Sequence, residues 1–349
     1  MKKIVFTGGG TAGHIMPNLA LIEDMKNYDI YYIGTNGMEK NIISKYKNIK
    51  FIEIPAVKLI RSLTPKNLLL PFKLIKSINT CKKELKKISP SIIFSKGGYV
   101  SVPVCLAGSK LDIPILTHES DLTVGLANKL IAKKAKYLCC SFSETAKEFG
   151  KNGVFTGSPI RPSIFKGDKN IILKRHKISS EETIILVVGG SLGARAINQT
   201  IWESISELTR NYTIIHIVGK GNINHNFDNN NKYIQIEFAN DIENYFDASN
   251  LVISRAGSNT IFELLALKKP MILIPLSKKS SRGDQILNAE NFKNHGYANV
   301  INQEDLTPKE LINTIIYTLK NSQKMIENMA NSSNKIGNQK IIDLINKTI

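Results

Sequence analysis

Two rhythms alternate along this chain. Short apolar, β-branched runs read as strands, and stretches whose apolar residues recur every three or four positions read as helices. The first pair sets the pattern: Lys3 to Thr7 is strand-like, and Ile15, Leu19, Ile22 and Met25 follow at helical spacing. Further runs, SIIFS, IPILTH and KYLCCSF in the first half and TIILVV, YTIIHIV, LVISR and PMILIP in the second, alternate with helical stretches. Such alternation predicts an α/β fold with parallel sheets and with ligands at the carboxyl ends of the strands.

The joints between the elements carry the next information. Gly8 to Gly13, in KKIVFTGGGTAGHIMPN, links the first strand to the first helix. The free N–H groups of such a turn and the positive end of the helix dipole favour an anion, and glycine lets it approach. Gly8-x-Gly10-x-x-Gly13 fits the dinucleotide fingerprint, but the acid that would hold a ribose after the second strand, Ile30 to Ile33, is missing; Gly34, Thr35, Asn36 and Gly37 stand there. A tight turn with no ligand is the alternative.

The opening turn has a counterpart. GGTAGHIMPN, Gly9 to Asn18, matches GGSLGARAIN, Gly189 to Asn198, and both follow an apolar strand. Two Rossmann-like units explain this repeat. GSPIRPSIF, Gly157 to Phe165, concentrates Gly and Pro and reads as the linker. We expect domains at 1–160 and 161–325 and a C-terminal helical segment at 326–349 that packs back on the first. If the strand ends of the two lobes face each other, the cleft between them is the site.

Length agrees, since 349 residues make two domains more naturally than one. No apolar run approaches the roughly 18 residues of a membrane span, and no signal-peptide core precedes the first strand, so a cytoplasmic location is expected. Cys81, Cys105, Cys139 and Cys140 show neither CxxC nor paired Cys/His spacing and read as reduced core thiols. Charge is uneven: of the net +18, residues 1–160 supply 24 basic and 11 acidic side chains, and 161–349 supply 23 and 18. A basic excess in one half suits a polyanion or an anionic membrane, or is a solvated surface.

The second half offers polar groups at strand exits. After LVISR, the segment AGSNTIFELLALKKP places Gly257, Ser258, Asn259 and Thr260 at a helix start and Glu263 one turn inside. The first group can donate to a diphosphate, and a carboxylate beyond it can accept from both hydroxyls of a ribose. Gln285 and Asn288, after PMILIP, lie three apart on one helical face and suit sugar hydroxyls. The bland readings are a capped helix and two solvated amides. No Asp-x-Asp or carboxylate cluster suits Mg²⁺ or Mn²⁺, so no metal and no cofactor are expected; backbone dipoles and Ser191 would stabilise a leaving diphosphate.

Taken together, GGGTAGHIMPNLAL, SKGGYVSVP, HESDLTVGLANK, GSPIR, GGSLGARAINQ, SRAGSNTIFE and RGDQILNA resemble, in order and spacing, the MurG family of bacterial peptidoglycan N-acetylglucosaminyltransferases. The resemblance runs from Gly8 to Asn288. It implies a GT-B fold and inverting transfer of GlcNAc from UDP-GlcNAc to the 4-hydroxyl of MurNAc in lipid I, giving lipid II at the cytoplasmic membrane face. By position, Thr11, Ala12 and Gly13 would approach the donor sugar, Arg161 and Ser191 the uridine and diphosphate, and Phe238 and Ala239 the uracil. Ser258, Asn259, Thr260 and Glu263 would hold diphosphate and ribose, and Gln285 and Asn288 the GlcNAc hydroxyls. Gly9 and Gly10, with Gly97, Gly98 and Tyr99 as a second wall, would hold the acceptor diphosphate. Two departures stand out: Asp121 where some members carry Asn, and Ser258 and Asn259 where apolar residues can follow the glycine.

For the general base we expect His14, kept neutral by the helix dipole, with Glu119 and Asp121 as competitors and a purely structural His as the alternative. From Val57 to Ile88 nine Lys/Arg and one acid, Glu84, interleave with Leu68, Leu69, Leu70 and Phe72. This stretch suits an anionic membrane surface, or else is an amphipathic helix packed on its own lobe. Partners among cell-wall and division proteins are also expected. Rival readings are a UDP-GlcNAc epimerase, a diacylglycerol glycosyltransferase, a dehydrogenase, and a nucleic-acid-binding module; the last is disfavoured because the basic stretch holds a single aromatic, Phe72.

Overall fold

The structure, a computed structural model, describes residues 1–56, 70–190, 193–278, 283–333 and 336–349. The chain divides into two compact units, Met1–Arg161 with Asn334–Ile349, and Pro162–Ser333. Each is built on a parallel sheet.

In the first unit the strands are β1 (Lys2–Thr7), β2 (Tyr28–Gly34), β3 (Ile49–Glu53), β4 (Ile92–Ser95), β5 (Ile115–Glu119), β6 (Tyr137–Cys140) and β7 (Gly153–Phe155). Their spatial order is β3-β2-β1-β4-β5-β6-β7, and every pairing is parallel. Period-2 alternation sends Ile4, Phe6, Phe94 and Leu116 to one face and Val5, Ile93 and Ile115 to the other. The first face packs against α1 (Ala12–Ile22) and, from the other end of the chain, α14 (Asn338–Thr348). The second face is covered by α3 (Leu70–Ile88) and α4 (Ser101–Ser109). Short helices α2 (Met38–Ile43), α5 (Leu126–Ala132) and α6 (Ser143–Glu148) complete the crossovers.

Asn338 fastens α14. Its amide donates to Ala20 and Ile160 carbonyls and to Asp24, and its oxygen accepts from Ile160 N–H. All four cysteines are buried and free.

In the second unit β8 (Ile184–Val188), β9 (Thr213–Ile217), β10 (Tyr233–Ile236), β11 (Leu251–Ser254), β12 (Met271–Leu273) and β13 (Asn299–Val300) take the order β10-β9-β8-β11-β12-β13. Again every pairing is parallel. Around them lie α7 (Lys169–His176), α8 (Arg195–Leu208), α9 (Ile242–Ala248), α10 (Ser258–Leu267), α11 (Asp284–Asn294), α12 (Pro308–Lys320) and α13 (Ser322–Ala330).

Both sheets reverse their winding beside the first strand of the unit, between β1 and β4 and between β8 and β11. Loops leaving the carboxyl ends of such strands diverge and leave room for a ligand. The sequence repeat maps onto these loops. Gly10 and Gly190, equivalent in the repeat, both adopt left-handed conformations, with φ of 86° and 92°. The two turns then part, for α1 begins at Ala12 whereas α8 begins at Arg195, with Gly193 also left-handed.

Candidate active site

In the first unit, three loops converge at the winding reversal. Thr11 precedes α1 in an extended conformation, and its hydroxyl lies 2.9 Å from Nδ1 of His14 rather than capping the helix. Gly97 and Gly98 are left-handed, and a Cβ at Gly98 would lie 2.5 Å from the Gly9 carbonyl and 3.3 Å from His14 Nδ1. A Cβ at Gly10 would press on the Tyr99 ring. Gly9, Gly10, Gly98, Tyr99 and His14 are thus in close contact. Ala12 and Gly13 form the exposed first turn of α1.

Two carboxylates of this region, Glu39 and Glu119, are engaged within the unit. Glu39, in the first turn of α2, is buried and accepts from Thr35 N–H, Thr35 Oγ1 and, at 3.4 Å, Gly10 N–H. An internal carboxylate therefore already faces the Gly10 amide expected to meet a diphosphate. Glu119, expected as a possible base, is spoken for as well. Its Oε1 accepts from the Ser120 and Asp121 amides and its Oε2 from the Gly125 amide and Asn128 Nδ2. With 7% exposure it organises the loop after β5. Burial first, and repulsion from Asp121 second, raise its carboxyl pKa, while Lys96 pulls it down.

Lys96 escaped the sequence reading. It leaves β4 with 2% exposure, and its Nζ donates to Ser120 Oγ at 2.6 Å. Burial lowers its pKa against the pull of Glu119 and Asp121. Beside it, His118 is held at Nε2 by the Gly157 carbonyl, 3.1 Å away. Burial and the Lys96 charge drive its pKa well below the usual imidazole range. Asp121 itself is half-buried on the same loop. Arg161 closes the first segment of this unit, within electrostatic reach of Tyr46.

In the second unit, α10 begins at Ser258 behind Gly257, which is extended and has no side-chain cap. A Cβ at Gly257 or Gly190 would meet nothing within 4 Å, so both backbones stand open. The leading N–H groups of α10 lack the intrahelical partners that later turns have, and Ser258, Asn259 and Thr260 are part-exposed around them. Glu263, half-buried, follows in the second turn. Arg255, another residue missed from sequence, donates to the Ile274 and Pro275 carbonyls and so joins the loops after β11 and β12. Gln285 accepts from the Leu276 amide through Oε1.

Asn288 is 0% exposed and donates to the Ala256 carbonyl at 3.4 Å. Its side chain thereby braces the loop before α10. Phe238, 58% exposed, and Ala239 follow β10 at the same carboxyl edge. Ser191, and Leu68 and Leu69 of the basic stretch, lie outside the described residues.

Comparison with known proteins agrees with this geometry. Residues 4–139 match the glycosyltransferase family 28 N-terminal domain, and residues 184–345 the glycosyltransferase family 28 C-terminal domain. A Clostridium tetani protein, the UDP-N-acetylglucosamine–N-acetylmuramyl-(pentapeptide) pyrophosphoryl-undecaprenol N-acetylglucosamine transferase, is 48% identical over 99% of this chain and 98% of its own. Among solved structures, Acinetobacter baumannii MurG is 25% identical with a TM-score of 0.77, covering 99% of this chain and 100% of that one. The UDP-GlcNAc 2-epimerase from Neisseria meningitidis, bound to UDP-GlcNAc, reaches a TM-score of 0.68 at 15% identity over 99% of this chain and 100% of that one. The epimerase shares the fold alone, so fold does not separate the rival readings; sequence identity does. Two parallel α/β units of the GT-B type, both family domains and full-length relatives at this identity make the chain a member of glycosyltransferase family 28.

Proposed function

We propose that this enzyme, a hexosyltransferase, moves N-acetylglucosamine from UDP-GlcNAc to the N-acetylmuramyl residue of the pyrophosphoryl-undecaprenol-linked acceptor, lipid I, and so forms lipid II for peptidoglycan. The observation that carries this reading is the 48% identity to the Clostridium tetani transferase across 99% of the chain.

The second unit supplies the donor side. The open amides at Gly190 and Gly257 and the start of α10 suit the UDP diphosphate, and they stabilise the charge that grows on it as the sugar leaves. Glu263 accepts from the ribose hydroxyls, Phe238 and Ala239 border the uracil, and Gln285 offers its NH₂ to the sugar while its oxygen is held by Leu276.

The first unit supplies the acceptor side, around Gly9, Gly97, Gly98 and Tyr99. The acceptor hydroxyl attacks the anomeric carbon, the bond to UDP breaks, and the proton passes to His14, oriented by Thr11. One displacement inverts the anomeric configuration. Glu119, with both oxygens engaged, is not the base; Asp121 accepts hydrogen bonds from the acceptor sugar.

Among the described residues no helix is long and apolar enough to cross a membrane. Contact with the lipid-linked substrate falls to the start of α3, where Phe72 is 72% and Ile75 56% exposed beside Lys73 and Lys76. Apolar side chains that dip into the interface beside lysines that meet anionic headgroups suit peripheral attachment.

Labelled UDP-GlcNAc offered separately with lipid I and with diacylglycerol tests the reaction. Label on lipid I supports it; label on diacylglycerol, or epimerised sugar without transfer, overturns it. Equal low-salt binding to neutral and anionic vesicles would overturn the membrane reading.

A further inference from the structure

Lys96 is an anomaly in the first unit. It continues β4, whose residues Ile92, Ile93 and Phe94 are fully buried, and remains 98% covered itself. An apolar side chain would fill that space without the desolvation cost of an ammonium, so packing alone does not explain a lysine. Its neighbours do. Nζ has one hydrogen bond, to Ser120 Oγ, and the groups that face it are the Glu119 carboxylate at the end of β5, the Asp121 carboxylate from the loop that follows, His118 from β5 and the Cys140 thiol from β6. Burial keeps the imidazole neutral and raises the thiol, which leaves the two carboxylates as the charges opposite the ammonium. Of these, Glu119 is the buried one, and its oxygens collect the amides of Ser120, Asp121 and Gly125 together with Asn128 Nδ2. A carboxylate accepts four such bonds only while ionised, and it stays ionised in a buried place when a cation is near.

We propose that Lys96 is a positioning residue for the acceptor: its ammonium, clamped to Ser120, sustains the Glu119 carboxylate that gathers the loop from Ser120 to Gly125, and so aims Asp121 at the acceptor sugar. The last clause rests on the functional reading above; the loop-holding part does not. Charge reaches the substrate indirectly, since Lys96 is enclosed and Asp121 is half-exposed. Removal of the cation leaves Glu119 easier to protonate, and a protonated Glu119 gives up amide partners and frees the loop.

The experiment follows the amide resonances of Ser120 and Gly125 through a pH titration of the whole unliganded chain, as wild type, Lys96→Met and Ser120→Ala. These amides donate to Glu119 and report its protonation. In Lys96→Met the transition moves to higher pH, and Ser120→Ala, which keeps the ammonium but removes its clamp, moves it the same way by less. Transfer assays with the same variants give a roughly tenfold rise in KM for the acceptor near neutral pH, with donor KM within about twofold, a tenfold change being about 1.4 kcal/mol. A transition that does not move in either folded variant, or equal loss for both substrates, overturns the proposal. Should Lys96→Met not fold, Ser120→Ala decides alone. If wild type transfers no GlcNAc, the functional reading fails while the titration still judges Lys96.

Discussion

The hydroxyl of Tyr32 donates to the carbonyl oxygen of Gly8 at 2.6 Å, and both groups are buried. Tyr32 stands on β2 and Gly8 opens the glycine turn, so one bond fixes the turn to the neighbouring strand. Asn18, from α1, donates to the same hydroxyl and to the Thr7 carbonyl. Its counterpart in the repeat, Asn198, repeats the device toward β9, with Oδ1 3.1 Å from His216 Nε2 and Nδ2 on the Val218 carbonyl. Tyr32→Phe strands a buried carbonyl and an amide proton, and we expect a loss of about 1–3 kcal/mol, read as a lower urea midpoint at unchanged m-value.

Glycines in the two sites respond differently to a methyl group. Gly98→Ala is strained at φ 78° and meets the Gly9 carbonyl, so it lowers thermal stability and transfer together. Gly257→Ala has ordinary backbone angles and open space, so stability stays unchanged. There, on the proposed function, the methyl occupies ground needed by the donor diphosphate, and KM for UDP-GlcNAc rises roughly tenfold, about 1.4 kcal/mol of binding. A calorimetric scan beside steady-state kinetics checks both.

Acid weakens the fold through two buried histidines. Burial depresses His216 to about 3, and burial with the Lys96 charge puts His118 well below its ordinary value. Unfolded, both titrate near 6.5, so below that pH the unfolded chain binds more protons and stability falls. Each histidine contributes a slope of up to about 1.4 kcal/mol per pH unit between 6.5 and its folded value; above 6.5 the slope vanishes. Urea midpoints from pH 7.5 to 4.5 measure it, and His216→Gln flattens the lower part.

His14→Ala, assayed at saturating substrates, lowers kcat by about 10²–10⁴-fold, the usual cost of a general base. Thr11→Val leaves the imidazole but removes the hydroxyl 2.9 Å from Nδ1, so its loss is smaller and falls on kcat. A turnover within about threefold of wild type for His14→Ala would remove His14 from this role.

The alternating rhythm of the chain made the parallel sheets and the two glycine turns legible, because period-2 runs and helical spacing report directly on which side of an element is buried. What escaped depends on contacts between elements distant in sequence. Glu39 lies past β2, beyond the place where a ribose acid is sought, and reaches back to Gly10. Lys96 reads as one more surface cation until β5 is laid beside β4. Gln285 and Asn288 share a helical face in projection, yet three residues leave about 60° between them. On a half-buried helix that angle separates a part-exposed amide from an enclosed one.

The return of α14 to α1 has a consequence for biosynthesis. Ile341, Ile342 and Ile345 complete the apolar layer beneath β1, and Asn338 ties that layer to Ala20 and Ile160. A ribosome delivers this helix only after the whole of the second unit has emerged. The nascent first unit must wait with an uncovered greasy flank while the intervening unit matures, which makes this flank the natural client surface for chaperones, and a chain cut short before α14 a candidate for rapid clearance.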